Sequence, residues 1–274
     1  MNILQSRLIG CCLAVACLVP AAYADTFTIT DYSEDPNAYF GGTATDPTTG
    51  TSYPLYSRDT IGGDSKFDVD TLTVSRDNGG FTAVLAGQFF TELEEPQFMG
   101  DLFLSNNGWN PYSTGAGDTH YLADTATSGE TWEYVLRIVD GEITAGGGVN
   151  SGQIALYQVS STGQIVTSEN LTQQGIYRAG QEIQYAPGAG EQALGLGTWA
   201  LDPTSGTFTF NLDNIDLAMY GLDGEIGLHW TMSCGNDVVE GVVSAPPQVP
   251  EPATMLLFGT GLAGLAAYRR RRRQ

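Results

Sequence analysis

Chemistry in this chain has few places to sit: two histidines, one cysteine beyond residue 24, and many carboxylates. Asp64, Asp68 and Asp70, just after Gly62-Gly63, are the best-placed set, because closely spaced carboxylates and backbone carbonyls are the hard oxygen donors that calcium prefers. Their spacing is not an EF-hand ladder, so modest calcium binding is the most this cluster implies, and no other cofactor is expected. His120, in Asp118-Thr119-His120-Tyr121, has an acid two residues away but no second histidine nearby, which favours a solvated or hydrogen-bonded ring over a metal ligand. His229 stands between Leu228 and Trp230 in an apolar run and should point to the face opposite theirs. No Gly-x-Ser-x-Gly nucleophile elbow occurs. Asp213, Asp216, Asp223 and Glu225 supply acids without the spacing of a sandwich glycosidase. The expectation is a body with no catalytic residues.

The elements that would position these groups are strands. Short apolar or alternating runs, separated by Gly, Asn, Asp and Pro, predict strands over 26–30, 67–75, 81–90, 101–104, 132–139, 153–160, 197–201, 207–212, 225–232 and 238–243. The clearest is Thr207 to Leu212, where Phe208, Phe210 and Leu212 share one face at a period of two. Asp77-Asn78-Gly79-Gly80 reads as a hairpin turn, and Asp202-Pro203-Thr204-Ser205-Gly206 as a second. The expected fold is all-β, an antiparallel two-sheet sandwich or jelly roll. Gly41 to Gly63 and Ser113 to Gly129 read as surface loops, the natural place for a ligand site. The Thr-x-Thr fragments at 26–30 and 207–209 form no repeat, so the regular threonine face of an ice-binding repeat is not expected.

Both ends read as addresses. Arg7, the apolar run Leu8 to Val19, Pro20 and Ala22-Tyr23-Ala24 ahead of Asp25 form a secretory signal over residues 1–24 with cleavage after Ala24. A lipoprotein signal at Leu8-Ile9-Gly10-Cys11 would leave almost no apolar core before Cys11. Export with cleavage removes Cys11, Cys12 and Cys17, leaving Cys234 alone, so no disulfide can form within the body and an ordinary core must hold it. The body, residues 25–243, keeps 5 of the 11 basic and 30 of the 31 acidic residues, a net charge near −25. Such a surface repels nucleic acid and anionic lipid and attracts cations. No linker divides the body, and Ser244 to Gln248 joins it to the tail.

That tail is Val249-Pro250-Glu251-Pro252, an uncharged apolar run from Ala253 to Tyr268, and Arg269, Arg270, Arg271, Arg272 and Arg273. The prolines keep the first four residues extended, and a helix begins after them. Sixteen helical residues reach ~24 Å against a bilayer core of ~30 Å, a shortfall met by snorkelling arginines and local thinning. The arginines act as a stop-transfer plug that holds the C-terminus in the cytoplasm and the body outside.

Residues 249–273 resemble the PEP-CTERM sorting signal of Gram-negative bacteria, whose pattern is Val-Pro-Glu-Pro, a hydrophobic helix and an arginine-rich end. Gly227 to Asp237, and Asp101 to Ser105 with Gly108-Trp109, are similar to stretches that recur in the bodies of such proteins. The resemblance implies recognition by an exosortase, transient residence in the inner membrane, and delivery to the cell surface or extracellular matrix. There the body is expected to act as a structural or exopolysaccharide-associated component. The alternatives are an extracellular polysaccharide-acting enzyme and a calcium-dependent carbohydrate-binding adhesin.

Overall fold

The computed structural model describes residues 25–30, 43–45, 52–54, 67–77, 79–91, 99–110, 125–141, 150–168 and 180–245, and isolated positions from 259 to 272. Fourteen strands are present among them: β1 (Asp25–Thr30), β2 (Thr43–Thr45), β3 (Ser52–Pro54), β4 (Thr71–Asp77), β5 (Gly80–Ala86), β6 (Leu102–Ser105), β7 (Tyr134–Ile138), β8 (Asn150–Gln158), β9 (Ile165–Thr167), β10 (Glu182–Tyr185), β11 (Gly195–Asp202), β12 (Thr207–Asp213), β13 (Ile226–Thr231) and β14 (Val238–Val243). Ten of them make one antiparallel sheet in the order β1-β4-β5-β12-β11-β8-β7-β6-β13-β14. Every strand expected from the sequence lies in that sheet, and the described part of the body is mostly β.

The arrangement differs from two separately hydrogen-bonded sheets. A single sheet of ten twisted strands must curl to bury one face, and its edges β1 and β14 come together. Arg76 on β4 closes the seam: its guanidinium donates to the carbonyls of Leu222, Gly224 and Ser244, and lies 5.8 Å from the Phe27 ring centroid. One of the three carbonyls, that of Leu222, is buried and finds its donor here.

Inside the curl, residues of all ten strands of the large sheet meet in one core. Trp199 stacks on Phe208 at 5.4 Å, Phe208 on Phe90 at 6.1 Å, and Phe90 lies 5.7 Å from Trp230. Phe89 and Phe90 enter through a short 3-10 turn, Gln88–Phe90, that follows β5. The hairpins form as expected. Asp77 pairs with Gly80 at the end of the β4–β5 ladder, and Asp202 pairs with Thr207. Gly206 takes φ 65°, the left-handed conformation that the second turn needs and that glycine adopts without steric cost.

Two small hairpins were not read from the sequence. The segment expected as a loop over 41–63 contains the β2–β3 pair. The β9–β10 pair packs on the outer face of β7 and β13. A second apolar cluster forms beneath it, with Phe103, Ala126, Trp132, Val135, Ile165 and Tyr185 at its centre. The β6-β7-β13 part of the sheet is therefore covered on both sides, which is why β13 is buried at all six positions while β5 alternates.

Candidate functional site

His229 faces away from Leu228 and Trp230, as the alternation of a strand demands, and enters the second apolar cluster. It is fully buried, its ring 5.5 Å from Trp132 and 6.1 Å from Phe103. Nδ1 lies 2.8 Å from Glu240 Oε2, the cross-strand neighbour on β14, and Nε2 lies 3.0 Å from the carbonyl of Glu182 on β10. Both ring nitrogens thus face oxygen atoms, an arrangement that the doubly protonated imidazolium satisfies with a donor at each. Two indoles complete the carboxylates: Trp109 Nε1 donates to Glu240 Oε1 at 2.8 Å, and Trp132 Nε1 to Glu182 Oε1 at 3.2 Å.

Electrostatics follow from this geometry. Burial alone would lower His229, but the Glu240 hydrogen bond and the charges of Glu182 and Glu240 outweigh it and hold the imidazole up at about 9. Burial pushes Glu182 up to about 7 against the pull of His229. Asp101, fully buried beside the same hairpin, is also pushed up to about 7 by burial, although it accepts from the amides of Ile138 and Tyr185 at 2.8 Å each. A histidine between two carboxylates could suggest acid–base chemistry or a metal. Here both imidazole nitrogens are already used, and no group of three or more His, Cys, Asp or Glu residues among the described residues is arranged to hold a metal ion. The cluster joins β13, β14, β10 and the Trp109 segment. Structurally it is a latch.

Of the three acids expected to favour calcium, Asp64 lies outside the described residues, and Asp68 and Asp70 flank the buried Val69 just before β4. The backbone between them is committed elsewhere. The Asp68 carbonyl accepts from Phe89 at 3.0 Å, and the Val69 amide donates to Asp237 Oδ2 at 2.7 Å. The two described carboxylates sit on a segment strapped to the turn before β14. His120 lies outside the described residues, and Cys234 is buried.

At the address signals the described positions are fewer. Ala22, Ala24, Val249, Pro250, Glu251, Pro252 and Arg273 lie outside the described residues, and Asp25 opens β1 opposite Arg76. Gly259, Gly261, Leu262, Leu265 and Tyr268 to Arg271 are helical and exposed, and Arg272 donates its amide to the Tyr268 carbonyl at 3.3 Å. Among the described residues no helix is long and apolar enough to cross a membrane, so the expected span over 253–268 rests on its sequence. Ser244, where the tail leaves the body, is held by Arg76.

No curated protein and no solved structure matches the chain. Residues 248–273 match the family model described as the PEP-CTERM protein-sorting motif, so this segment carries a sorting signal of the kind that implies processing by an exosortase.

Proposed function

We propose that this protein is a non-enzymatic structural or binding component of the cell surface or extracellular matrix, associated there with exopolysaccharide. Its route begins with a signal peptide cleaved before Asp25, where β1 starts, so that cleavage leaves the sheet intact. It continues with insertion of the 253–268 helix in the inner membrane, recognition of Val249-Pro250-Glu251-Pro252 by an exosortase, and release or transfer of the body. The observation that carries this reading is the sorting motif at residues 248–273.

The body's construction supports it. Ser244 is fixed to the sheet by Arg76, and the five residues from there to Val249 can reach no more than about 18 Å. The folded body therefore stays close to the membrane until the motif is processed. Its near −25 charge keeps an exported body soluble and repels anionic headgroups, favouring release once the helix is cut away.

Mass spectrometry of the C-terminus recovered from the cell surface or medium tests the route. The expected outcome is a chain ending near Pro250-Glu251-Pro252, without Arg269 to Arg273. In a strain lacking the exosortase, the full tail should persist and the protein should stay in the inner membrane. A body released in the same mature form without the exosortase would overturn the proposal. Binding to exopolysaccharide from the same cells, with no change in polymer length over prolonged incubation, is the expected behaviour of the purified body; depolymerisation would replace it with an enzymatic reading.

A further inference from the structure

The β9–β10 hairpin is attached to the sheet in an unusual way for so short an element. The apolar residues it brings, Ile165 and Tyr185, cover Phe103, Trp132 and Val135, yet polar groups hold it at both ends. At one end, Asp101 accepts from the Tyr185 amide and donates its own amide to the Ile183 carbonyl at 2.7 Å, while Arg137 Nε donates to the Tyr185 carbonyl at 2.8 Å. At the other, the Glu182 carbonyl and carboxylate both face His229, with Glu182 Oε2 at 3.7 Å from Nε2. A two-stranded hairpin is marginal by itself, so these attachments decide whether it stays down.

We infer that the β9–β10 hairpin is a pH-sensitive flap, latched over the aromatic outer face of the sheet by the buried His229 imidazolium and released on the alkaline side. The chemistry is that of losing one proton from a site with no alternative donor among the described residues that face the ring. The groups facing the ring are Glu182 from β10, Glu240 from β14, Phe103 from β6, and Trp132 ahead of β7. None can donate to a bare imidazole nitrogen in place of the lost proton: the indole of Trp132 is committed to Glu182 and that of Trp109 to Glu240. A neutral ring would turn one lone pair toward an acceptor and leave Glu182 and Glu240 buried without their shared cation. The next charged groups out, Asp101 and Arg137, hold the other end of the hairpin and do not reach the ring. Glu133 and Glu130 add negative charge where they bond the Asn106 and Asn110 amides. Lifting the hairpin lets water reach Glu182 and His229, while the core inside the curl is untouched.

The signs agree. Asp101, Glu182 and His229 all titrate higher in the folded protein than in a free chain. Each therefore favours the closed form fully below its free value and withdraws that support as pH rises through its folded value. The two carboxyl groups have done so by about 7, and His229 follows through about 9.

Hydrogen–deuterium exchange on the purified protein, corrected for the intrinsic pH dependence of exchange, tests the flap. Between pH 7 and pH 10, a range that takes in the two units below the folded His229 value of about 9, amide protection in β9 and β10 should fall by roughly a hundredfold relative to β5 and β12. Binding of an apolar dye should rise over the same range. His229→Gln should remove the part of the fall that follows the imidazole through about 9, leaving the hairpin more open at pH 7 than in the unaltered protein. Glu182→Gln, which keeps the imidazolium paired to Glu240, should shrink the fall and serves if the His229 variant does not fold. Unchanged hairpin protection at pH 10, or loss of protection in β9–β10 and in β5 and β12 together, would overturn the inference.

Discussion

The outer face of the ten-stranded sheet is two different surfaces. Across β1, β4, β5, β12 and β11 it carries hydroxyls and small side chains in register: Thr26, Ser75, Thr82, Asn211 and Thr198 make one row, and Thr28, Thr73, Val84, Thr209 and Ala200 the next. Neighbours bond one another, Thr26 with Ser75 at 3.0 Å, Thr28 with Thr73 at 3.1 Å, and Thr82 with Asn211 at 2.9 Å. Across β7, β6, β13 and β14 the same face holds Val135, Phe103, His229 and Glu240 beneath a hairpin. One half is solvated on one side and the other is buried on both. The first half therefore depends on the inner core alone, while the second depends on the core and on a buried charge network.

The two halves should be alike where they share the interior. Phe208→Ala on β12 and Trp230→Ala on β13 should each cost about 3–5 kcal/mol by urea denaturation, because both leave a cavity in the same aromatic cluster. A loss under 1 kcal/mol at either would mean that the halves do not share one core. Outside, the halves should separate. Glu240→Ala removes the closest counter-charge of a fully buried imidazolium and should cost about 3–5 kcal/mol, whereas Thr209→Ala on the solvated face should stay within about 0.5 kcal/mol.

This contrast was partly written in the sequence. Alternation in Thr207 to Leu212 predicts one-sided burial, and that strand is buried at every second position; Gly80 to Ala86 is buried in the same way although Ala83 to Ala86 is continuously apolar. The near-continuous apolar runs at 226–232 and 238–243 belong to strands buried on both sides. The facing direction of His229 was legible too, since a strand permits only one. Its partners were not. Glu182 is 47 residues away on a four-residue strand whose buried acid resembles a solvated one in sequence. Glu240 offered the better signal: a lone acid inside Val238-Val239-Glu240-Gly241-Val242-Val243 needs a buried partner, and hairpin register with the preceding strand places it opposite His229. Closure into one sheet was also hidden, because strand pairing order depends on contacts such as that of Arg76 with Ser244, 168 residues apart.

Titration should sharpen the difference between the halves without any substitution. Because the raised groups Asp101, Glu182 and His229 all lie in the covered half, melting should occur at a lower temperature at pH 9.5 than at pH 6, by several degrees. In Glu182→Gln the alkaline decline should be shallower, and an equally steep decline would place its cause outside the latch.

Calcium would act where the halves meet, since Asp68 and Asp70 lead into β4 while Val69 between them is tied to Asp237 beside β14. A site of the strength seen in extracellular modules, with Kd of about 0.1–1 mM, adds about 0.4–1.4 kcal/mol at about 1 mM free calcium. Asp68→Asn with Asp70→Asn should abolish that increment, measured as melting temperature in calcium against chelator, and no increment in the unaltered protein would remove calcium from the account.

The smallest effect belongs to the solvated rows. Thr28 and Thr73 face each other across β1 and β4 with their hydroxyls in contact, so a double-mutant cycle with alanine isolates their coupling. The coupling should lie at about 0.2–1 kcal/mol, the range of an exposed cross-strand pair, and should not change between pH 6 and pH 9.5. A coupling that did change with pH would mean that the solvated rows sense the latch through the sheet. The seam offers a short path among the described residues, since β1 meets β14 directly and β14 carries Glu240. Coupling through that path would make the two surfaces parts of one pH-responsive unit, whereas pH-independent coupling leaves the latch confined to the half it covers.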